Sequence, residues 1–89
     1  MVRVVFTPQL RRFVETPEVD TKSAVLREAL EAAFVVNPRL RGYVLDDQAH
    51  VRANVVIFID GVRCDDRRRL DQALRPDSTV HVLQALSGG

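Results

Sequence analysis

Val55-Val56-Ile57-Phe58-Ile59-Asp60-Gly61 is an unbroken β-branched and aromatic run closed by a dipeptide that favours tight reversal. An apolar segment of that length, ended by Asp-Gly, predicts a strand over residues 55–60, a hairpin turn, and a return strand beginning at Val62 and Arg63. Strand alternation places Val55, Ile57 and Ile59 on one face and Val56 and Phe58 on the other. Both faces of this strand are apolar, so both need cover.

Upstream, the period changes from two to between three and four. Val25, Leu26, Ala29, Leu30, Ala33 and Phe34 form the stripe of an amphipathic helix, with Arg27, Glu28, Glu31 and Ala32 lying off it. Asp20, Thr21 and Ser23 are candidate N-caps, and Asn37-Pro38 is a stop, which predicts a helix over residues 22–36. Residues 2–7 read as a first strand ended by Pro8, with residues 10–15 as a second, weaker strand. Residues 39–45 are short and mixed, and Asp46-Asp47 reads as a turn. Residues 70–74 read as a single helical turn, Arg75-Pro76-Asp77-Ser78 as a loop, and residues 79–85 as the last strand.

That order (strand, strand, helix, strands, short helix, strand) predicts a single α+β domain over residues 1–89. Its one main helix must cover the face of a mixed sheet that carries Val4, Phe6, Val55, Ile57, Ile59, Val80 and Val82. Antiparallel hairpins joined by a long crossover describe a β-grasp. The opposite face, with Val5, Val56, Phe58 and Leu83 side by side, has no second helix to cover it. A contiguous apolar patch of this kind marks a partner-facing surface, with a loop folded back over it as the alternative.

Composition narrows the function. A chain of 89 residues, 46% hydrophobic and 28% charged, holds one small core. It buries only roughly 60 to 65% of its unfolded surface, which leaves few residues to line a deep substrate pocket, so it is not expected to be an enzyme and no residue is expected to be catalytic. Thirteen basic against 12 acidic residues leave a net charge of +1, too little for a nucleic-acid binder. Arg67-Arg68-Arg69 is interleaved with Asp65, Asp66 and Asp71 and reads as a solvated loop. With Cys64 the sole cysteine there is no internal disulfide and no thiolate metal site. His50 and His81 have no metal-ligand spacing, and no glycine-rich nucleotide loop is present, so no bound cofactor or metal is expected. No apolar run reaches membrane-spanning length, and a soluble, cytoplasmic monomer is the expectation.

The remaining feature is Leu86-Ser87-Gly88-Gly89, directly after the last predicted strand. Only four glycines occur in the chain, two of them at this end; chance gives such a pair roughly 0.5% of the time, so its placement calls for a use. Without Cβ atoms, Gly88 and Gly89 could enter a channel too narrow for other residues and adopt dihedrals closed to them. A partner enzyme with ATP could then convert the carboxylate of Gly89 to an acyl adenylate.

Three stretches carry a family resemblance: Val55-Val56-Ile57-Phe58-Ile59-Asp60-Gly61, Arg75-Pro76-Asp77-Ser78-Thr79-Val80, and Val82-Leu83-Gln84-Ala85-Leu86-Ser87-Gly88-Gly89. Together they make the chain resemble the MoaD/ThiS family of ubiquitin-like sulfur carriers over essentially its whole length. That resemblance implies a β-grasp with a flexible Gly-Gly tail at residues 87–89. It also implies adenylation of Gly89 by an E1-like adenylyltransferase that uses ATP, and conversion to a thiocarboxylate with sulfur from a donor such as a sulfurtransferase. Delivery would be to a sulfur-accepting synthase of the molybdopterin, thiamine or cysteine type. Leu86, Ser87 and Gly88 match the threaded tail, and Val5, Val56, Phe58 and Leu83 the partner-facing patch. Gln84-Ala85-Leu86-Ser87 and His81 depart from the family's usual residues and leave the pathway open. Two other readings fit the same residues: a ubiquitin-like modifier forming isopeptide bonds through Gly89, and a noncovalent interaction module.

Overall fold

A computed structural model describes residues 1–7, 16 and 18–84. The elements run β1 (Val2–Phe6), β2 (Val19–Thr21), α1 (Leu26–Val36), α2 (Leu40–Val44), β3 (Val55–Ile59), β4 (Val62–Cys64) and β5 (Thr79–Gln84). The five strands form one mixed sheet in the order β2-β1-β5-β3-β4. The first and last strands lie parallel at its centre, and the hairpin partners flank them antiparallel.

The strand that decides the sequence reading behaves as its alternation requires. Ile57 faces Val82 and Ile59 faces Val80, on the side shared with Val4 and Phe6 of β1. Onto that side pack Leu26, Ala29, Leu30, Ala33 and Phe34, the buried stripe of α1. Asp60 and Gly61 both take positive φ, 52° and 82°, the conformation that a two-residue hairpin turn needs and that Gly adopts without penalty. The α+β, β-grasp expectation therefore holds among the described residues.

Four local expectations are corrected. The helix starts at Leu26 rather than residue 22, because Asp20 and Thr21 belong to β2, where Val19 is buried opposite Val4. No side chain caps α1 at its extended N-cap Val25. Its first amides are satisfied across the fold instead: Leu26 N–H donates to the Gln72 carbonyl at 3.0 Å and Arg27 N–H to the Leu70 carbonyl at 2.8 Å. The Asp, Thr and Ser signals thus mark a strand and its exit, not a cap. The short helix precedes β3, as Leu40–Val44, and residues 70–74 form no helical turn.

That last segment is instead held extended against the start of α1, through the Val25 to Ala73 bridge and Leu74 N–H donating to the Ala24 carbonyl at 2.8 Å. Leu70 sits at φ 55° with its side chain fully buried, a conformation strained for a residue with a Cβ. The weak strand expected at residues 10–15 lies outside the described residues, as does the tail, and β5 is described to Gln84.

Asp66 organises the loop that delivers Leu70. Its carboxylate accepts from the backbone N–H groups of Arg68 at 3.0 Å, Arg69 at 3.1 Å and Leu70 at 2.8 Å, and from the Gln72 side-chain amide at 3.2 Å. These donors, the Arg68 N–H foremost, favour the ionised form and lower its pKa to about 2 from the ordinary 3.8. A carboxylate whose folded pKa is depressed stabilises the fold above its unfolded pKa and loses that contribution as pH falls toward the folded value. The urea midpoint should therefore fall between pH 4 and about 2. Asp66→Asn should lower the neutral-pH midpoint and flatten that acid limb. An equally steep limb in Asp66→Asn would show that other carboxylates carry it. The neighbouring arginines behave as loop side chains: Arg67 donates to the Arg52 carbonyl, and Arg68 and Arg69 are exposed.

Candidate functional site

The outer face of the sheet is built from rows of strand-paired residues. One row runs Val5, His81, Phe58, Arg63 across β1, β5, β3 and β4. In the next, Leu83 lies opposite Val56. The four apolar residues expected to share a patch, Val5, Val56, Phe58 and Leu83, are therefore neighbours, and each is only half-buried. Among the described residues no helix lies over them, because α1 occupies the other face. Between them the surface dips into a shallow concavity of about 350 Å³, lined by Val5, Phe58, His81 and Leu83 and closed at its ends by Phe6–Thr7 and Gly61.

His81 is the residue that sequence reasoning left out of this surface. It is exposed between Val5 and Phe58 in their row, on the middle strand, and lines the concavity. The signal was present: Thr79, His81 and Leu83 alternate along one strand, so whichever face takes Leu83 also takes His81. Charged residues form the rim. On one edge Arg63 approaches Asp65 at 3.6 Å; on the other, Arg3 approaches Asp20 at 3.2 Å and Glu18 at 3.3 Å. An apolar floor with a paired-charge rim has the anatomy of a protein–protein surface.

The ends of the patch are fixed by the turn and by the exit of β5. Asp60 joins the β3 to β4 turn to the start of β5: its carboxylate accepts from Thr79 N–H at 2.9 Å, the Ser78 hydroxyl at 2.8 Å and, more loosely, Arg75 at 3.4 Å. The Thr79 N–H, then the Ser78 hydroxyl, hold its pKa below the ordinary carboxylate value. At the other end Thr7 N–H donates to the Val82 carbonyl at 3.1 Å, and Gln84 N–H reaches the Thr7 hydroxyl at 3.4 Å. Gln84, the last described residue, thus ends β5 next to the Leu83 and Val56 pair. Leu86, Ser87, Gly88 and Gly89 lie outside the described residues.

The other candidate chemistries find no geometry. Asp46 serves its turn as a backbone acceptor, taking N–H groups from His50 at 3.0 Å and Gln48 at 2.9 Å. Cys64 lies on the edge strand, with burial raising its thiol pKa, the opposite of an activated nucleophile. Among the described residues no three His, Cys, Asp or Glu side chains are placed to hold a metal ion, and no helix is long and apolar enough to cross a membrane.

A mixed five-stranded sheet with its first and last strands parallel at the centre, and with its described helices packed on one face, has the ubiquitin-like β-grasp architecture. Three solved structures share it nearly end to end. Small archaeal modifier protein 1 from Haloferax volcanii is 19% identical, over 99% of this chain and 98% of that one, with a TM-score of 0.78. The protein of the same name from Methanosarcina acetivorans is 21% identical, over 99% and 95%, at 0.76. A chain of the Amycolatopsis orientalis BexX/CysO complex is 15% identical, over the whole of both chains, at 0.80. At such identities the likeness is one of fold, and the β-grasp expectation is met. No family model matches the sequence, and no curated protein matches it.

Proposed function

We propose that this chain is a sulfur carrier. An E1-like enzyme uses ATP to adenylate the carboxylate of Gly89, and sulfur from a donor such as a sulfurtransferase replaces the adenylate to give a thiocarboxylate. A synthase then accepts that sulfur into a metabolite. In this reading the chain is a co-substrate and supplies no catalytic group. Val5, Val56, Phe58 and Leu83 dock on the partner, while Leu86, Ser87 and Gly88 thread toward its reaction centre. The observation that carries the reading is the convergence of two features on one end of the sheet. The bare apolar face and the exit of β5 meet at Leu83 and Val56, so a partner seated on the face has the Gly-Gly sequence within reach.

Intact mass of the protein isolated from its own host tests the proposal. Replacement of one terminal oxygen by sulfur is the expected result; a population that carries only the plain carboxylate, under conditions where the accepting pathway is active, overturns it. The modifier reading has support from the printed names of two structural neighbours, which are modifier proteins. Under it the same mass analysis yields branched conjugates in place of the thiocarboxylate. Trypsin would leave residues 70–89 as the branch, because Arg75 precedes Pro76 and is not cut.

A further inference from the structure

We propose that Lys22 is a modification site: the acceptor through which the activated Gly89 of a second copy of this chain forms an isopeptide bond. The inference rests on the reading that Gly89 is activated as an acyl adenylate, a step common to the carrier and modifier functions. Twelve of the 13 basic residues are arginines, whose guanidinium is not a nucleophile, so Lys22 is the single side-chain amine in the molecule. It is exposed on the link between β2 and α1, and among the described residues its ammonium has no hydrogen-bond or ion-pair partner.

The second observation is the surface next to it. Lys22 edges a concavity of about 470 Å³ whose walls are Met1, Val2, Ala24, Leu74 and Pro76, with the Thr21 and Ser23 hydroxyls alongside, 3.0 Å apart; Met1 brings the chain's α-amine to the same trough as the competing acceptor. A largely apolar trough with hydroxyls at its lip suits the Leu86-Ser87-Gly88-Gly89 end of another copy: a leucine to bury and a slender backbone to lie beside the amine.

Topology favours an intermolecular bond. Thr21 pairs with Val2 at one end of β1, while Val82 pairs with Phe6 at the other, and β1 and β5 are parallel. The chain therefore passes Gln84 at the end of the sheet away from Lys22. Five further residues extend at most about 18 Å. Returning along the sheet to Lys22 takes about 20 Å, plus two strand spacings of about 4.8 Å. The trough also lies apart from the Val5, Val56, Phe58 and Leu83 face, so a partner docked there leaves Lys22 free.

In the step itself the unprotonated Nζ of Lys22 attacks the carbonyl carbon of the Gly89 adenylate. The new C–N bond forms as the C–O bond to phosphate breaks, AMP leaves with the bonding pair, and the amine proton passes to water. ATP consumed in forming the adenylate is the only co-reactant, and no oxidation occurs.

The test uses the full chain carrying a chemically installed thioester at Gly89, which needs no activating enzyme. Covalent dimer should form, and trypsin should place the 70–89 branch on Lys22. Lys22→Arg, which keeps charge and fold, should lower the rate of hydroxylamine-resistant dimerisation by about tenfold or more, leaving only attack by the chain's α-amine, since thioester exchange with the Cys64 thiol is reversed by hydroxylamine. Equal rates for the two proteins, or a branch found only at the α-amine, overturn the Lys22 assignment. Failure of the activation reading has a separate signature, namely wild-type protein from its host with neither thiocarboxylate nor branch while the thioester form still dimerises through Lys22.

Discussion

Gly88→Ala should abolish adenylation of Gly89 while leaving thermal unfolding unchanged within error. The loss follows from the steric demand of threading. An added Cβ blocks positive φ at a cost of roughly 1–2 kcal/mol and widens the peptide where the partner's channel must be narrowest. The combined effect on an orientation-dependent acyl transfer should exceed about 100-fold, since small displacements of the reacting atoms already cost that much. An extra residue after Gly89 should be as damaging, because it removes the carboxylate from the position at which it is activated. Stability should be indifferent to both changes, since Leu26, Leu30, Leu40, Leu70, Val80 and Val82 bury one another within the sheet and helices. ATP–pyrophosphate exchange with the host's activating enzyme measures the first effect and a melting curve the second. Adenylation at wild-type rate in either variant would remove the basis of the proposed mechanism.

Phe58→Asp should weaken docking on the activating enzyme by about 100-fold or more, read as a rise in KM for this chain with kcat nearly preserved. Phe58 is the largest of the four apolar side chains of the outer face, and it lies between His81 and Arg63. Central aromatic residues of protein interfaces characteristically contribute about 2–4 kcal/mol when removed, and a buried unpaired carboxylate adds to that loss. The side chain is half-exposed in the free chain and points away from α1, so the folded monomer tolerates the change better than it would tolerate a charge at Ile57 on the other face. Val62→Asp supplies the control: Val62 is 70% exposed but on the edge strand, with its Cβ on the helix-side face opposite Ile59. It should leave KM unchanged. A KM for Phe58→Asp matching that of Val62→Asp would move the docking surface elsewhere on the molecule.

The two predictions bear on different parts of the proposed site, and a kinetic comparison separates them. Tail substitutions act on kcat and face substitutions on KM, because the first group is positioned only once the second has bound.

Much of this molecule was legible before any coordinates. Residues 55–61 specified a strand, its two faces and its turn, because apolar period and turn chemistry are local properties that the fold did not override. The stripe from Leu26 to Phe34 specified the helix face for the same reason. The patch of Val5, Val56, Phe58 and Leu83 was likewise readable, since once strands are assigned, alternation alone sorts their residues into faces. His81 was readable on the same ground, and was missed because an exposed polar residue at the middle of an apolar surface does not register in a hydrophobic pattern.

What local pattern could not supply was decided by partners distant in sequence. The start of α1 misled because its amides are satisfied by the carbonyls of Leu70 and Gln72, more than forty residues on, so the capping signals of Asp20, Thr21 and Ser23 had another use. Leu70 looked like the start of a helical turn, yet Asp66 gathers three backbone amides and turns the chain so that Leu70 enters the core at positive φ. The register that sets His81 between Val5 and Phe58, and the placement of Lys22 beside a trough at the far end of the sheet from Gln84, depend on the parallel pairing of the first and last strands. Sequence determined which faces are apolar and which end bears the glycines. Only the tertiary structure determined which of those features are neighbours, because contacts across the sheet are fixed by hydrogen-bond register between segments that lie some seventy-five residues apart along the chain.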